Sequence, residues 1–156
     1  MSIQPPNNPS TKLPRLTRSA GFSLIEVLVA LVVLAFGLLG VAAIQINALK
    51  TNHSAAQRSQ ATMLAYLMLD AMRANETVAK EGGYNLTKTC EIPTVTGTLA
   101  ANDMKYWMEK LHEQLGVGTC GAISCDSDGN CTVEIEWNDS RARGDSNQKF
   151  SLTTRL

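Results

Sequence analysis

The sequence predicts an α+β chain in which a long N-terminal helix, membrane-spanning in its first half, packs through its second half on a small antiparallel sheet with a short extra helix. Three observations carry this reading. From Val27 to Ile46 the only polar side chain is Gln45, which approaches the ~20 apolar residues a helix needs to cross a bilayer core. Past Lys50 the apolar residues thin to one helical stripe. "CTVEIEW" and "QKFSLTTRL" near the C-terminus alternate apolar with polar, as half-buried strands do.

The elements follow in order. One helix is expected from Phe22 to about Arg73, on the order of 75–80 Å at 1.5 Å per residue. Its second half carries the stripe Leu49, Ala56, Met63, Leu64, Leu67, Met68, Ala71 and Met72, with Lys50, Gln57, Arg58 and Gln60 between. Gly37 and Gly40 interrupt the apolar half, each costing about 1 kcal/mol of helix propensity relative to alanine. They permit either loosening of the helix or close approach of a neighbouring one. Gly82-Gly83 end the pattern, and a loop to about Asn102 holds Cys90, Pro93 and Gly97. A second helix is expected from an N-cap at Asn102 or Asp103, with Met104, Trp107, Met108, Leu111 and Leu115 on one face and Gly116 as its stop. "GAISC" supplies a third strand before the "DSDGN" turn. If the last two strands pair, the glutamates of one meet Lys149 and Arg155 of the other.

Charge separates the two ends of the chain. Overall, 14 basic side chains balance 14 acidic ones. Lys12, Arg15 and Arg18 precede the apolar run, and no acid precedes Glu26. This asymmetry argues for an N-terminus inside and everything after about Lys50 outside the cytoplasm. The external part is mildly acidic and carries no electrostatic footprint for nucleic acid. All four cysteines, Cys90, Cys120, Cys125 and Cys131, fall there. An even count in an exported segment favours disulfides over metal knuckles, with three connectivities open. Short loops favour Cys125 with Cys131 and Cys90 with Cys120.

Glu26 is the one charged residue between Arg18 and Lys50. A carboxylate in such a run marks a functional site by default. A removable secretory signal does not explain the segment, since the run exceeds the ~7–15 residues of an h-region and no A-x-A site follows it. "GFSLIEVLVALVV" instead resembles the prepilin motif of type IV pilins and type II secretion pseudopilins. The resemblance implies cleavage by a prepilin peptidase between Gly21 and Phe22, N-methylation of Phe22, and retention of the helix in the product. It further implies that Glu26 meets the N-terminal amine of a neighbouring subunit during assembly. Residues 1–21 are then a cytoplasmic leader, 22–46 the transmembrane and filament-core helix, 47–75 its amphipathic continuation, and 76–156 a periplasmic head with disulfides. This leader is longer than that of many pilins; either it is extended or translation starts after Met1.

The rest of the chain narrows the resemblance. "AYLMLDAMRANE", "GGYN", the Trp-containing helix ending near "LGVG" and "CTVEIEWND" resemble minor pilins of the PilV type, structural components of the complex that primes pilus assembly. Implied partners are other minor pilins, the major pilin, the peptidase, the inner-membrane assembly platform and the bilayer. The GspI type of secretion pseudopilin is similar in design and usually smaller, and a membrane-tethered adhesion module is a reading of another class.

Catalytic chemistry finds little support. His53 and His112 lack H-E-x-x-H spacing, no phosphate loop or nucleophile elbow occurs, and no cofactor is expected. "DSDGN" offers Asp126, Asp128 and Asn130 as a minor cation option, but a hairpin turn explains it more simply. "RGDS" at 143–146 reads as a polar loop, and the sequon at Asn85 carries no special meaning in a bacterial chain.

Overall fold

The computed structural model describes residues 21–142 and 144–156. The segment before Gly21 that the sequence reading assigns to a leader, with Lys12, Arg15 and Arg18, lies outside them, as does Arg143 of "RGDS". The chain divides into two units, Met1–Val41 and Ala42–Leu156.

Helix α1 spans Leu24–Ala74, and the unit boundary falls within it. In the first unit its residues are exposed throughout. The second unit contains the remainder of α1, then α2 (Glu76–Lys80), β1 (Leu86–Thr89), α3 (Leu99–Leu115), β2 (Cys120–Cys125), β3 (Asn130–Trp137), a 3-10 turn (Ser140–Ala142) and β4 (Gln148–Arg155). The four strands form an antiparallel meander in the order β1-β2-β3-β4.

Alternation decides which sheet face meets the helices. Val133, Ile135 and Trp137 of β3 are buried, with Ile123 of β2 and the part-buried Phe150 and Leu152 of β4. From α1 the core receives Ala61, Leu64, Ala65, Met68, Leu69 and Met72, with Gln57 one turn earlier. This stripe is rotated from the one expected. Met63 is 67% exposed, and Leu49, Ala56 and Leu67 are exposed too. Ala61 and Ala65, which look neutral in sequence, are the residues small enough to let the helix backbone approach its neighbours.

Helix α3 begins a turn earlier than the sequence suggests. Thr98 is its N-cap, its hydroxyl accepting the Ala101 amide at 3.1 Å. Asn102 and Asp103 are therefore not caps. The Asp103 carboxylate accepts the hydroxyl of buried Tyr84 at 2.7 Å. "LAA" reads as loop beside Gly97, but Ala100 and Ala101 bury in the added turn. At the other end Gly116 stops the helix with φ 107°, a conformation that only glycine adopts readily.

Trp107 lies at the centre of this packing. It is fully buried, and its indole Nε1 donates to the Leu64 carbonyl of α1 at 3.0 Å. Its ring covers Gly121 of β2 so closely that a Cβ there would fall 2.6 Å from it.

Two elements that the sequence does not predict lie between α1 and α3: α2, before Gly82, and β1, within the expected loop. "LTKT" escapes notice because only one of its residues is apolar, and β1 pairs irregularly with β2. Lys88 of β1 reaches the outer face of the sheet, where Glu136 accepts it at 2.8 Å and Lys149, its cross-strand partner on β4, at 3.3 Å. The expected ladder of opposite charges is thus present at Glu136, whereas Arg155 lies opposite Asn130 and Glu134 opposite Ser151.

Those lysines, Lys88 first, hold the Glu136 carboxyl below its usual range. A carboxylate depressed in the folded state adds stability above its unfolded pKa of ~4.3 and loses it as pH falls through the folded value. Glu136→Gln should therefore be less stable than wild type at neutral pH, with the gap closing in acid. Urea unfolding at about pH 7 and about pH 3 checks this; a gap independent of pH would refute it.

Candidate functional site

Gly21, Phe22 and Ser23 precede the helix and are exposed, Phe22 to 83%. The first helical hydrogen bonds go to the Ser23 carbonyl, from the amides of Glu26 at 3.0 Å and Val27 at 3.3 Å. The Gly21–Phe22 peptide bond thus lies outside the hydrogen-bonded helix, in backbone that a peptidase can engage. A Cβ on Gly21 would meet nothing within 4 Å. No contact within the described chain requires glycine there.

Glu26 occupies the first turn of α1 and is exposed. The free backbone amides that precede Glu26 and the positive end of the helix dipole favour a carboxylate at this place. Among the described residues no ion pair involves Glu26. Around and beyond it, sixteen large apolar side chains from Phe22 to Ile46 are exposed. Burying each is worth about 1.5–3 kcal/mol, so this surface requires lipid or other helices as its surroundings. α1 is long and apolar enough to cross a membrane. Gly37 and Gly40 are helical, and a Cβ on either would meet nothing within 4 Å.

These observations agree with one comparison. Residues 16–42 match the family model described as the prokaryotic N-terminal methylation motif. The chain carries a prepilin-type N-terminus. That match supports the class of type IV pilins and pseudopilins, processed by prepilin peptidase, structural rather than catalytic in kind, and anchored in a membrane by the apolar helix. No curated protein and no solved structure matches the chain. The α+β architecture, a long helix on a four-stranded antiparallel sheet, is the one expected of a pilin-like prepilin product.

In the head, Cys90 is bonded to Cys120 and Cys125 to Cys131. Cys125 and Cys131 are direct cross-strand partners flanking the β2–β3 turn. The first bridge ties the strand-free loop after β1 to the start of β2. Within the turn, the Asp126 carboxylate accepts the amides of Asp128 at 3.0 Å and Asn130 at 2.8 Å, and the Asn130 side chain at 2.9 Å. Those bonds, the Asn130 side chain first, hold its carboxyl below the usual range, so its lone pairs serve the turn. Among the described residues no group of three or more His, Cys, Asp and Glu is placed to hold a metal.

Other residues singled out in the sequence have local duties. His112 Nε2 lies 3.1 Å from the Thr119 carbonyl, and Asn85 Oδ1 accepts the Cys125 amide at 2.7 Å. The Asp145 carbonyl accepts the Asp139 amide at 3.1 Å. Three polar residues are buried against expectation, Thr119, Asp139 and Gln57, the last read in the sequence as lying between the apolar positions of α1. Only Gln57 had a signal, since it precedes Ala61, Leu64 and Ala65 on the buried stripe by one helical turn.

Proposed function

We propose that the chain is a minor pilin of a type IV pilus, cut by prepilin peptidase between Gly21 and Phe22, methylated on Phe22, and assembled with other minor pilins and the major pilin. Its role is structural, as part of the inner-membrane complex that primes pilus assembly, with residues 76–156 in the periplasm before assembly. The supporting observation is the prepilin motif joined to a helix whose apolar residues are exposed on every side. A surface of that kind suits lipid first and neighbouring helices afterwards. Glu26, in the first turn, is the residue assigned to meet the Phe22 amine of a neighbouring subunit.

Mass spectrometry of the mature chain checks the first step. The expected N-terminus is a methylated Phe22, and an unprocessed chain or one cut near Ala43 would refute the proposal. The motif is shared with secretion pseudopilins, so deletion discriminates between them. Loss of piliation is expected here, whereas normal piliation with failed protein secretion would favour the pseudopilin reading, and normal piliation with lost attachment an adhesion module.

A further inference from the structure

Helix α3 runs antiparallel to the second half of α1. The Tyr84 hydroxyl bridges Asn75, just past α1, and Asp103, early in α3, at 3.3 and 2.7 Å. Trp107, further along α3, meets Leu64 at 3.0 Å, and Gly116, Val117 and Gly118 share one cleft with His53 and Gln57. The loop after α3 therefore lies at the end of the head closest to Ile46, where the apolar run stops. At its tip Val117 is 94% exposed, more than any other large apolar residue described, those of the bare helix from Phe22 onward included.

The loop holds that side chain outward on a braced backbone. Gly116 and Gly118 have φ of 107° and 95°, values that residues with side chains rarely adopt, and they turn the chain on either side of the one valine. The Gly116 carbonyl accepts the Thr119 amide at 3.1 Å and the Thr119 hydroxyl at 2.8 Å. Thr119 itself is buried, with His112 Nε2 3.1 Å from its carbonyl. Lys50, one turn past Ile46, and Arg141, in the lining of the same cleft, supply cations at this end. The acids of the cleft are engaged: Glu113 pairs with Lys110 at 2.6 Å, and Asp139 is buried and accepts the Ser54 hydroxyl.

We infer that the Gly116–Gly118 loop is a second membrane contact, with Val117 resting in the headgroup layer of the bilayer that anchors α1. The inference rests on the membrane-anchored reading of α1. His53 is seven residues past Ile46, so the loop at its level sits about 10 Å above the end of the apolar run, at 1.5 Å per residue. The headgroup layer fills about 5–7 Å of that height. An ordinary tilt of about 20° lowers a loop set one helix width, about 10 Å, to the side of α1 by about 3 Å more, and the reach of the valine closes the rest. A single exposed valine is unremarkable on a free protein. Here the anchor makes the contact intramolecular, so that even weak burial suffices. Lys50 and Arg141 suit the phosphates of the same layer.

The test uses the full chain, methyl-labelled at valine and leucine, in nanodiscs of equal parts phosphatidylcholine and phosphatidylglycerol with a trace of lipid carrying a headgroup nitroxide. The Val117 methyl resonances are expected to lose most of their intensity relative to the same sample with the nitroxide reduced. Those of Val78, in α2 at the opposite end of the head, should keep theirs. Val117→Asp changes an exposed side chain and leaves the core alone; it should lift the loop and reduce the paramagnetic broadening at Leu115 severalfold. Val117 signals as sharp as those of Val78 would overturn the inference. So would Leu115 broadening unchanged by Val117→Asp, which would show nearness imposed by the anchor alone. A chain that fails to copurify with the nanodiscs would overturn the anchor and the inference together, whereas a copurifying chain with sharp Val117 signals overturns the inference alone.

Discussion

A chain carrying Glu26→Ala is expected to enter the membrane at the wild-type level and to be largely missing from assembled filaments. Insertion depends on the apolar run from Val27 to Ile46, which the substitution leaves intact. Removing a carboxylate from an apolar segment makes insertion easier, if it changes it at all. Assembly is different, because the proposed role pairs this carboxylate with the Phe22 amine of a neighbour inside an apolar bundle. Taking one partner from a buried ion pair costs about 3–5 kcal/mol, since the other charge is left uncompensated. Each ~1.4 kcal/mol is tenfold in an equilibrium, so incorporation should fall at least a hundredfold. Glu26→Gln preserves the shape and removes the charge, and should fail similarly. Immunoblots of membrane and sheared filament fractions measure both steps, and wild-type filament content with Glu26→Ala would remove Glu26 from the assembly proposal.

The second large effect is internal to the head. Trp107→Ala should destabilise it by about 3–5 kcal/mol through the lost apolar contact and the cavity left behind. That is a large part of the 5–15 kcal/mol that holds an ordinary domain together. Trp107→Phe retains most of the ring and loses the indole donor to Leu64, so its cost should be smaller. Gly121→Val introduces the opposite fault, with side-chain atoms where the Trp107 ring already lies, and should cost at least 1–3 kcal/mol, the usual range of overpacking. Because the two residues touch, their changes should not add. Gly121→Val in the Trp107→Ala background should be milder than alone, as space is now free. Urea unfolding of the four chains, with both disulfides intact, measures the cycle; strict additivity would show that Trp107 does not constrain Gly121.

Much of this fold is legible along the chain because its signals are local. Eighteen residues of unbroken apolarity from Val27 to Ile44, the alternation in "CTVEIEW", and Gly116 after a helical face each express a period or a backbone requirement that needs no distant partner. Elements that depend on a partner are harder to read. β1 owes its existence to the edge of β2, and its four residues show almost no pattern of their own. The first turn of α3 holds only small residues and becomes recognisable once Ala100 and Ala101 are seen in the core. On α1 the large residues Met63 and Leu67 suggested the wrong face, whereas the surface that packs is the one where Ala61 and Ala65 permit close approach.

The division has a physical basis. The sequence alone determined the prepilin-type N-terminus, because Gly21, Phe22 and Glu26 occupy fixed places along one short segment, residues 16–42, that the motif covers. It also determined that the helix following them is apolar on all sides. Tertiary structure alone decided which cysteines are joined, which stripe of α1 is buried, and that Gln57 and Asp139, 82 residues apart in sequence, line one cleft. Such outcomes depend on which distant surfaces meet and how closely, and no period along the chain encodes that.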